Sequence, residues 1–289
     1  MPYLDRPTAR LFYTDEGEGP PVIALHGLAE NHLYWKLPGI TDGILRVGYR
    51  VVSLDMRGHG RSAVTGHPKG FDVEALTEDV SALADYLGFG AFHLLGHATG
   101  GMVAFRYAMA HPERLRSLVA TNAGAATATV ADGDPGSFVA FRQRATRMAE
   151  GFRGKTWVQI LQHARAGARD DVFLNRLHAA RDAGRAFAWY ESCARLGDPD
   201  TLAEFIERFY DDHDARAPRL SEIGCPCLIV AAEFDEMFLE PSRQAAAAIP
   251  NARLAVLEGR GHMTAFEDPE RLTQLIAGFL DEVEAQPPA

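Results

Sequence analysis

Residues 96–101 read Gly96-His97-Ala98-Thr99-Gly100-Gly101. They stand between an apolar run, Phe92-His93-Leu94-Leu95, and a segment with helical spacing, Gly101 to Ala110. Glycines two positions either side of a central residue have the spacing of a G-x-S-x-G nucleophile elbow. The turn from strand to helix is so tight that larger side chains would collide. Its apex residue is forced into a strained conformation and projected above the sheet. The next residue, Thr99, then offers its backbone N–H to an oxyanion, at the start of a helix whose dipole favours negative charge. The apex here is Ala98, and alanine carries no nucleophile.

An elbow needs a strand before it, a helix after it and a sheet around both. The first half of the chain supplies that pattern. Pro21 to Leu25, Val51 to Leu54, Phe92 to Leu95 and Leu118 to Ala120 are short aliphatic runs that mostly do not alternate. Such runs suit strands buried on both faces of a parallel sheet. Trp35 to Val47, Val73 to Leu87 and Gly101 to Ala110 have helical spacing. Alternating strand and helix predicts an α/β sheet with right-handed crossovers. From about Ala125 to Leu220 no strong strand is visible. Phe138 to Phe152, Thr156 to Ala166, Asp171 to Tyr190 and Thr201 to Tyr210 read as helices, and the Ala/Gly/Asp stretch 123–136 as a linker. Strands resume at Pro226 to Ala231 and Ala252 to Leu257, and an amphipathic helix carrying Leu272, Leu275, Ile276 and Phe279 closes the chain. The expected organisation is a core of residues 1–124 and 221–289, interrupted by a helical lid over 125–220.

Composition excludes several classes. The 289 residues are enough to bury a core without disulfides or metals. A net charge of −10 and a pI of about 5.6 suit neither nucleic-acid backbones nor anionic membranes. No apolar run approaches the ~20 residues of a spanning helix. Met1 to Arg6 shows no basic region leading into an apolar stretch, so no signal peptide is expected. Cys193, Cys225 and Cys227 do not describe a disulfide framework, and they point to a reducing, cytoplasmic compartment.

Five ordered segments, each at a strand end, carry a family resemblance. They are Leu25-His26-Gly27-Leu28, Asp55 to Ser62, Gly96 to Gly101, Glu233-Phe234-Asp235 and Gly261-His262. Together they resemble the α/β-hydrolase family over essentially the whole chain. The resemblance implies a mostly parallel sheet with helices on both faces and a helical lid. It also implies a triad in the order 98, 235, 262. His262 would be the general base and Asp235 the acid that holds its tautomer, with the amides of Leu28 and Thr99 as the oxyanion hole. The implied activity is hydrolysis of a carboxylic ester or lactone of moderate size and apolar character through an acyl-enzyme. No cofactor is implied, and the expected partner is a small-molecule substrate; self-association stays open.

Ala98 departs from the family pattern. Either a serine has been replaced to disable the nucleophile, or the alanine is native to the site. Restoring serine fits the family with no other adjustment, which favours the first. Three other readings stay open. One is a C–C bond hydrolase on the same triad. Another is a native-alanine enzyme, such as a cofactor-free lyase, oxygenase or carbamate-type hydrolase, that uses His262 and Asp235 without acylation. The last is a ligand-binding protein.

Other residues are weighed against blander roles. Glu233 and Glu236 flank Asp235, and Asn122 ends the preceding strand, but an amide cannot replace the carboxylate. His26 is expected to order the oxyanion loop by hydrogen bonding. Thr99's hydroxyl is expected in packing, and Ser62 in a turn or cap. His32, His97, Met102, Trp157, Trp189 and Phe238 are the candidates for substrate contact, while most other lid aromatics must form the lid's own core. His163 and His178 read as surface or packing groups. No metal site is expected. His93 and His97 have zinc-like i, i+4 spacing, but four residues of strand span about 13 Å, too far for one ion.

Overall fold

The computed structural model describes residues 2–125, 135–169, 171–211 and 217–285, with side chains omitted for 135–142 and 217–218. The parallel strands are β3 (Pro21–Leu25), β4 (Arg50–Leu54), β6 (Phe92–His97), β7 (Leu115–Thr121), β8 (Cys227–Ala232) and, at the edge, β9 (Ala252–Leu257). They run parallel in the order β4-β3-β6-β7-β8-β9. Every residue of β6 and β8 is buried, as their unbroken apolar runs require. Alternate residues serve opposite faces. Ile23 and Leu25 join one apolar cluster with α3 (Val73–Tyr86) and α4 (Ala98–Ala110). Val22 and Ala24 join the other with α2 (Ile40–Arg46) and α11 (Pro269–Glu284). Each fully buried Ile, Leu or Phe contributes roughly 1.5–3 kcal/mol to holding these layers together.

Two expected helices need correction, and two further features were not expected. Strands β1 (Tyr3–Arg6) and β2 (Ala9–Glu16) extend the sheet antiparallel beyond β4, and the short β5 (Ala63–Val64) pairs with β2. The expected helix Trp35–Val47 is two pieces, α1 (Leu33–Lys36) and α2, because Pro38 and the left-handed Gly39 (φ +86°) break it. Helix α9 (Leu239–Ala248), rich in alanine, joins β8 to β9. Asp171–Tyr190 is not one helix: turns and a 3₁₀ segment at Leu177–Ala179 precede α7 (Ala183–Ala194), whose N-terminus Asp182 caps.

Between β7 and β8 the described residues form α5 (Pro135–Glu150), α6 (Trp157–Gly167), α7 and α8 (Pro199–Phe209), with no strand. Part of the expected linker, 126–134, and the side chains of Phe138 and Phe141 lie outside the described residues. Helix α7 packs against α1 and against α10 (Thr264–Glu267), which follows β9. Among the described residues no helix is long and apolar enough to cross a membrane.

Candidate active site

The site lies where β3, β6 and β7 end side by side. Each strand exit carries a non-glycine residue in the left-handed region: Ala29 (φ +59°), Ala98 (φ +46°) and Asn122 (φ +50°). Such residues cost about 1–3 kcal/mol each and persist only where surrounding contacts hold them. The glycines around Ala98 are required by close approach. A Cβ on Gly96 would lie 2.5 Å from the Gly100 carbonyl oxygen, one on Gly100 would strike the His26 carbonyl oxygen, and one on Gly101 would strike Ala123. The Gly100 N–H donates to that His26 carbonyl (3.0 Å), which ties the elbow to the loop carrying Leu28.

His26 holds this loop, as expected. Its Nδ1–H donates to the Gly27 carbonyl (2.7 Å) and its Nε2 accepts the Met56 N–H (3.0 Å). Burial pulls its pKa down to about 4, so the ring stays neutral and keeps both bonds at neutral pH. The Asp55 carboxylate secures the neighbouring loop by accepting the backbone N–H groups of His32 and Arg61.

Asp235 and His262 meet. The His262 Nδ1–H donates to Asp235 Oδ2 at 2.8 Å, which leaves Nε2 as the basic atom. The Asn122 amide donates to the same oxygen (2.8 Å), and the N–H groups of Met237 and Phe238 donate to Oδ1 (3.2 and 3.1 Å). Thr264 donates its hydroxyl to Asn122 Oδ1 (2.9 Å), which sets the amide's orientation. Asn122, weighed as a rival acid, is thus a donor to the acid. Glu233 is exposed and accepts the Gly259 N–H (2.8 Å), and Glu236 is exposed, so neither competes. The buried Glu267 accepts the N–H groups of Gly261 (2.6 Å) and Met263 (3.1 Å) and thereby clamps both sides of His262.

Three rings enclose the His262 imidazole: His97 and Phe173, each 4.9 Å between centroids, and Phe238 at 5.3 Å. His97 and Phe238 are therefore at the site. Phe173 falls inside the stretch read as a continuous helix and was not singled out by the sequence. Thr99 pairs its hydroxyl with the Tyr210 hydroxyl (2.8 Å), linking the elbow to the residue after α8.

The other substrate-contact candidates scatter. His32 pairs its Nδ1 with Asp55 (2.8 Å) and packs its ring on Phe12, so its side chain is committed to the loop scaffold. Met102 is buried in the core along α4. Trp157 donates its indole N–H to the Gly197 carbonyl (2.5 Å) and lines a cavity of about 740 Å³ with Gly58, Ser62, Lys69 and Thr201. That cavity contains neither Ala98 nor His262. Trp189 is partly buried 6.0 Å from Phe266. Ser62 bridges strands, accepting the Phe12 N–H (2.8 Å) and donating to the Asp55 carbonyl (2.5 Å). His163 and His178 are exposed. His93 is engaged by Ser117 and Glu284, away from His97.

A family described as alpha/beta hydrolase fold matches residues 20–269. A protein of Stutzerimonas stutzeri provisionally named carbamate hydrolase RutD is 28% identical over 271 residues, covering 92% of this chain and 94% of its own length. The 2-hydroxy-6-oxononadienedioate/2-hydroxy-6-oxononatrienedioate hydrolase of Burkholderia vietnamiensis is 25% identical, covering 94% of this chain and 91% of its own. A thermophilic esterase from Thermogutta terrifontis has the same fold, with a TM-score of 0.78 at 24% identity over 95% of this chain and 94% of that one. With five motifs in order, a matching family and a strained elbow beside a paired histidine and aspartate, the chain is a member of the α/β-hydrolase family.

Proposed function

We propose that the site hydrolyses a carboxylic ester or lactone of moderate size and apolar character. The carrying observation is the pairing of His262 with Asp235 at 2.8 Å, its ring 4.9 Å from that of His97, the residue that precedes Ala98, itself held at φ +46° on the elbow. A serine at position 98 would complete an acyl-enzyme machine. Its hydroxyl would give its proton to His262 Nε2 and attack the carbonyl, and the amides of Leu28 and Thr99 would hold the oxyanion. His97 and Phe238 are the residues best placed to line the acyl pocket, and segment 125–220 is its lid. The three cysteines are buried and unpaired, which supports a reducing compartment. As the chain stands, the attacking oxygen is missing, and the serine route is closed by several orders of magnitude.

The test compares Ala98→Ser with the unaltered chain on short- and medium-chain aryl esters, simple lactones and a fluorophosphonate probe. The expected result is labelling at residue 98 in the substituted chain alone, with turnover several orders of magnitude above that of the unaltered chain. A substituted chain that neither turns over nor takes the label would overturn the reading.

A second reading is a native alanine with His262 and Asp235 acting without acylation; the buried Glu30 carboxyl bordering Gly27 supports it.

A further inference from the structure

Glu30 follows His26-Gly27-Leu28-Ala29 and is 4% exposed. Its Oε2 accepts the Gly27 N–H at 2.6 Å. A Cβ placed on Gly27 would lie 2.9 Å from that oxygen, 3.0 Å from the His97 ring and 3.2 Å from the Ala98 Cβ, so carboxyl, His97 and apex all border the space over Gly27. The other oxygen, Oε1, is 3.7 Å from His97 Nε2. That nitrogen is buried with no hydrogen-bond partner among the described residues, while Nδ1 pairs with Thr121. The remaining groups whose titration feels Glu30 are Tyr34 from α1, Tyr190 and Cys193 from α7, and Tyr210 after α8. All are neutral in their ordinary forms, and among the described residues no Lys or Arg pairs with the carboxyl.

We propose that Glu30 is a catalytic acid of this site, donating its proton to the carbonyl oxygen of the substrate while His262 takes one from the attacking water. The assignment rests on the ester or lactone reading above and supplies a route that position 98 does not limit. The water oxygen forms a bond to the carbonyl carbon, its proton passes to His262 Nε2, and the carbonyl π pair moves to the oxygen that receives the Glu30 proton. On collapse that proton returns to Glu30, the C–O bond to the alcohol breaks, and the alkoxide takes the proton held on His262. One water is consumed, one acid and one alcohol leave, and both side chains end as they began.

Electrostatics agree with the geometry. Burial holds the Glu30 carboxyl well above the usual carboxylate range and pushes His97 well below its ordinary value, so the proton resides on Glu30 and His97 is a neutral acceptor. His97 therefore leaves the proton on Glu30, where the proposed step needs it.

The test reads the proton directly and then the rate. Infrared spectra of the unaltered chain at neutral pH should contain a protonated carboxyl stretch that moves in D2O and disappears in Glu30→Gln. Hydrolysis of p-nitrophenyl esters by the unaltered chain should fall about 10²-fold or more in Glu30→Gln, the range of a general acid. The unaltered rate should also decline as pH rises through the infrared titration of Glu30, and that decline should vanish in the variant. Absence of the band, an unchanged rate and pH profile, or no hydrolysis by the unaltered chain would each overturn the proposal. None of these outcomes touches the Ala98→Ser labelling result, which decides the underlying reading separately. If Glu30→Gln does not fold, the unaltered chain still decides: an infrared midpoint that disagrees with the kinetic one refutes the assignment.

Discussion

Asn122 is the most informative residue to perturb, because two of its properties can be removed separately. It occupies the left-handed region at φ +50°, and its amide joins Thr264 to Asp235. Asn122→Gly keeps the backbone conformation at no steric cost and deletes both side-chain hydrogen bonds. A hydrogen bond to a charged group contributes about 1.5–3 kcal/mol, and a stranded buried hydroxyl costs about 1 kcal/mol more. The expected destabilisation is therefore about 2.5–4 kcal/mol. Asn122→Ala loses the same bonds and must also place a Cβ in the left-handed region, adding about 1–2 kcal/mol. The assay is the urea midpoint of each variant, with the Ala98→Ser chain's hydrolysis of p-nitrophenyl esters measured alongside. Loss of the amide frees the carboxylate to rotate, so kcat should fall at least tenfold in both variants while KM stays near its starting value. If Asn122→Gly costs under about 0.5 kcal/mol and leaves kcat unchanged, the carboxylate is positioned by Met237 and Phe238 alone. The relay from Thr264 would then be refuted.

Two further outcomes follow from the same contacts. Gly100→Ala should cost at least about 1–3 kcal/mol and abolish fluorophosphonate labelling of the Ala98→Ser chain, because the added methyl collides with the His26 carbonyl that anchors the elbow. Native stability and labelling would refute it. His26 and His59 have pKa values lowered by burial from 6.5 to about 4 and about 3, so the unfolded chain binds protons that the folded chain refuses. Their contribution to stability is complete above pH 6.5 and is lost as pH falls from there toward 4 for His26 and toward 3 for His59, and a urea midpoint that is flat over that window would contradict the neutral assignment.

Much of the architecture is legible locally. Continuous aliphatic runs such as Ile229 to Ala231 mark strands buried on both faces, since only parallel inner strands lack a solvent side. The elbow is legible for a similar reason: glycines at 96, 100 and 101 answer contacts dictated by the turn itself. The outer hairpin of β1 and β2 was missed because its alternation is irregular, with Leu11, Phe12 and Tyr13 all buried in succession. Phe173 is not legible because the helical spacing of Asp171–Tyr190 spans residues that the chain folds as turns.

What the sequence by itself determined is which aliphatic runs are buried and in what order the chemistry-bearing ends arrive: the apex, then Asp235, then His262. Hydrophobic period and turn sterics act over a few residues, so they can be read from a few residues. Tertiary structure alone decided which polar groups meet. Asn122 finds Asp235 across 113 positions of chain and Thr264 across 142. Glu30, which no sequence motif marks, lies buried between Gly27 and His97. His32, in the same loop, turns to Asp55. A buried polar side chain must be paired, but its partner is set by how distant strand ends are brought together, and no local pattern encodes that.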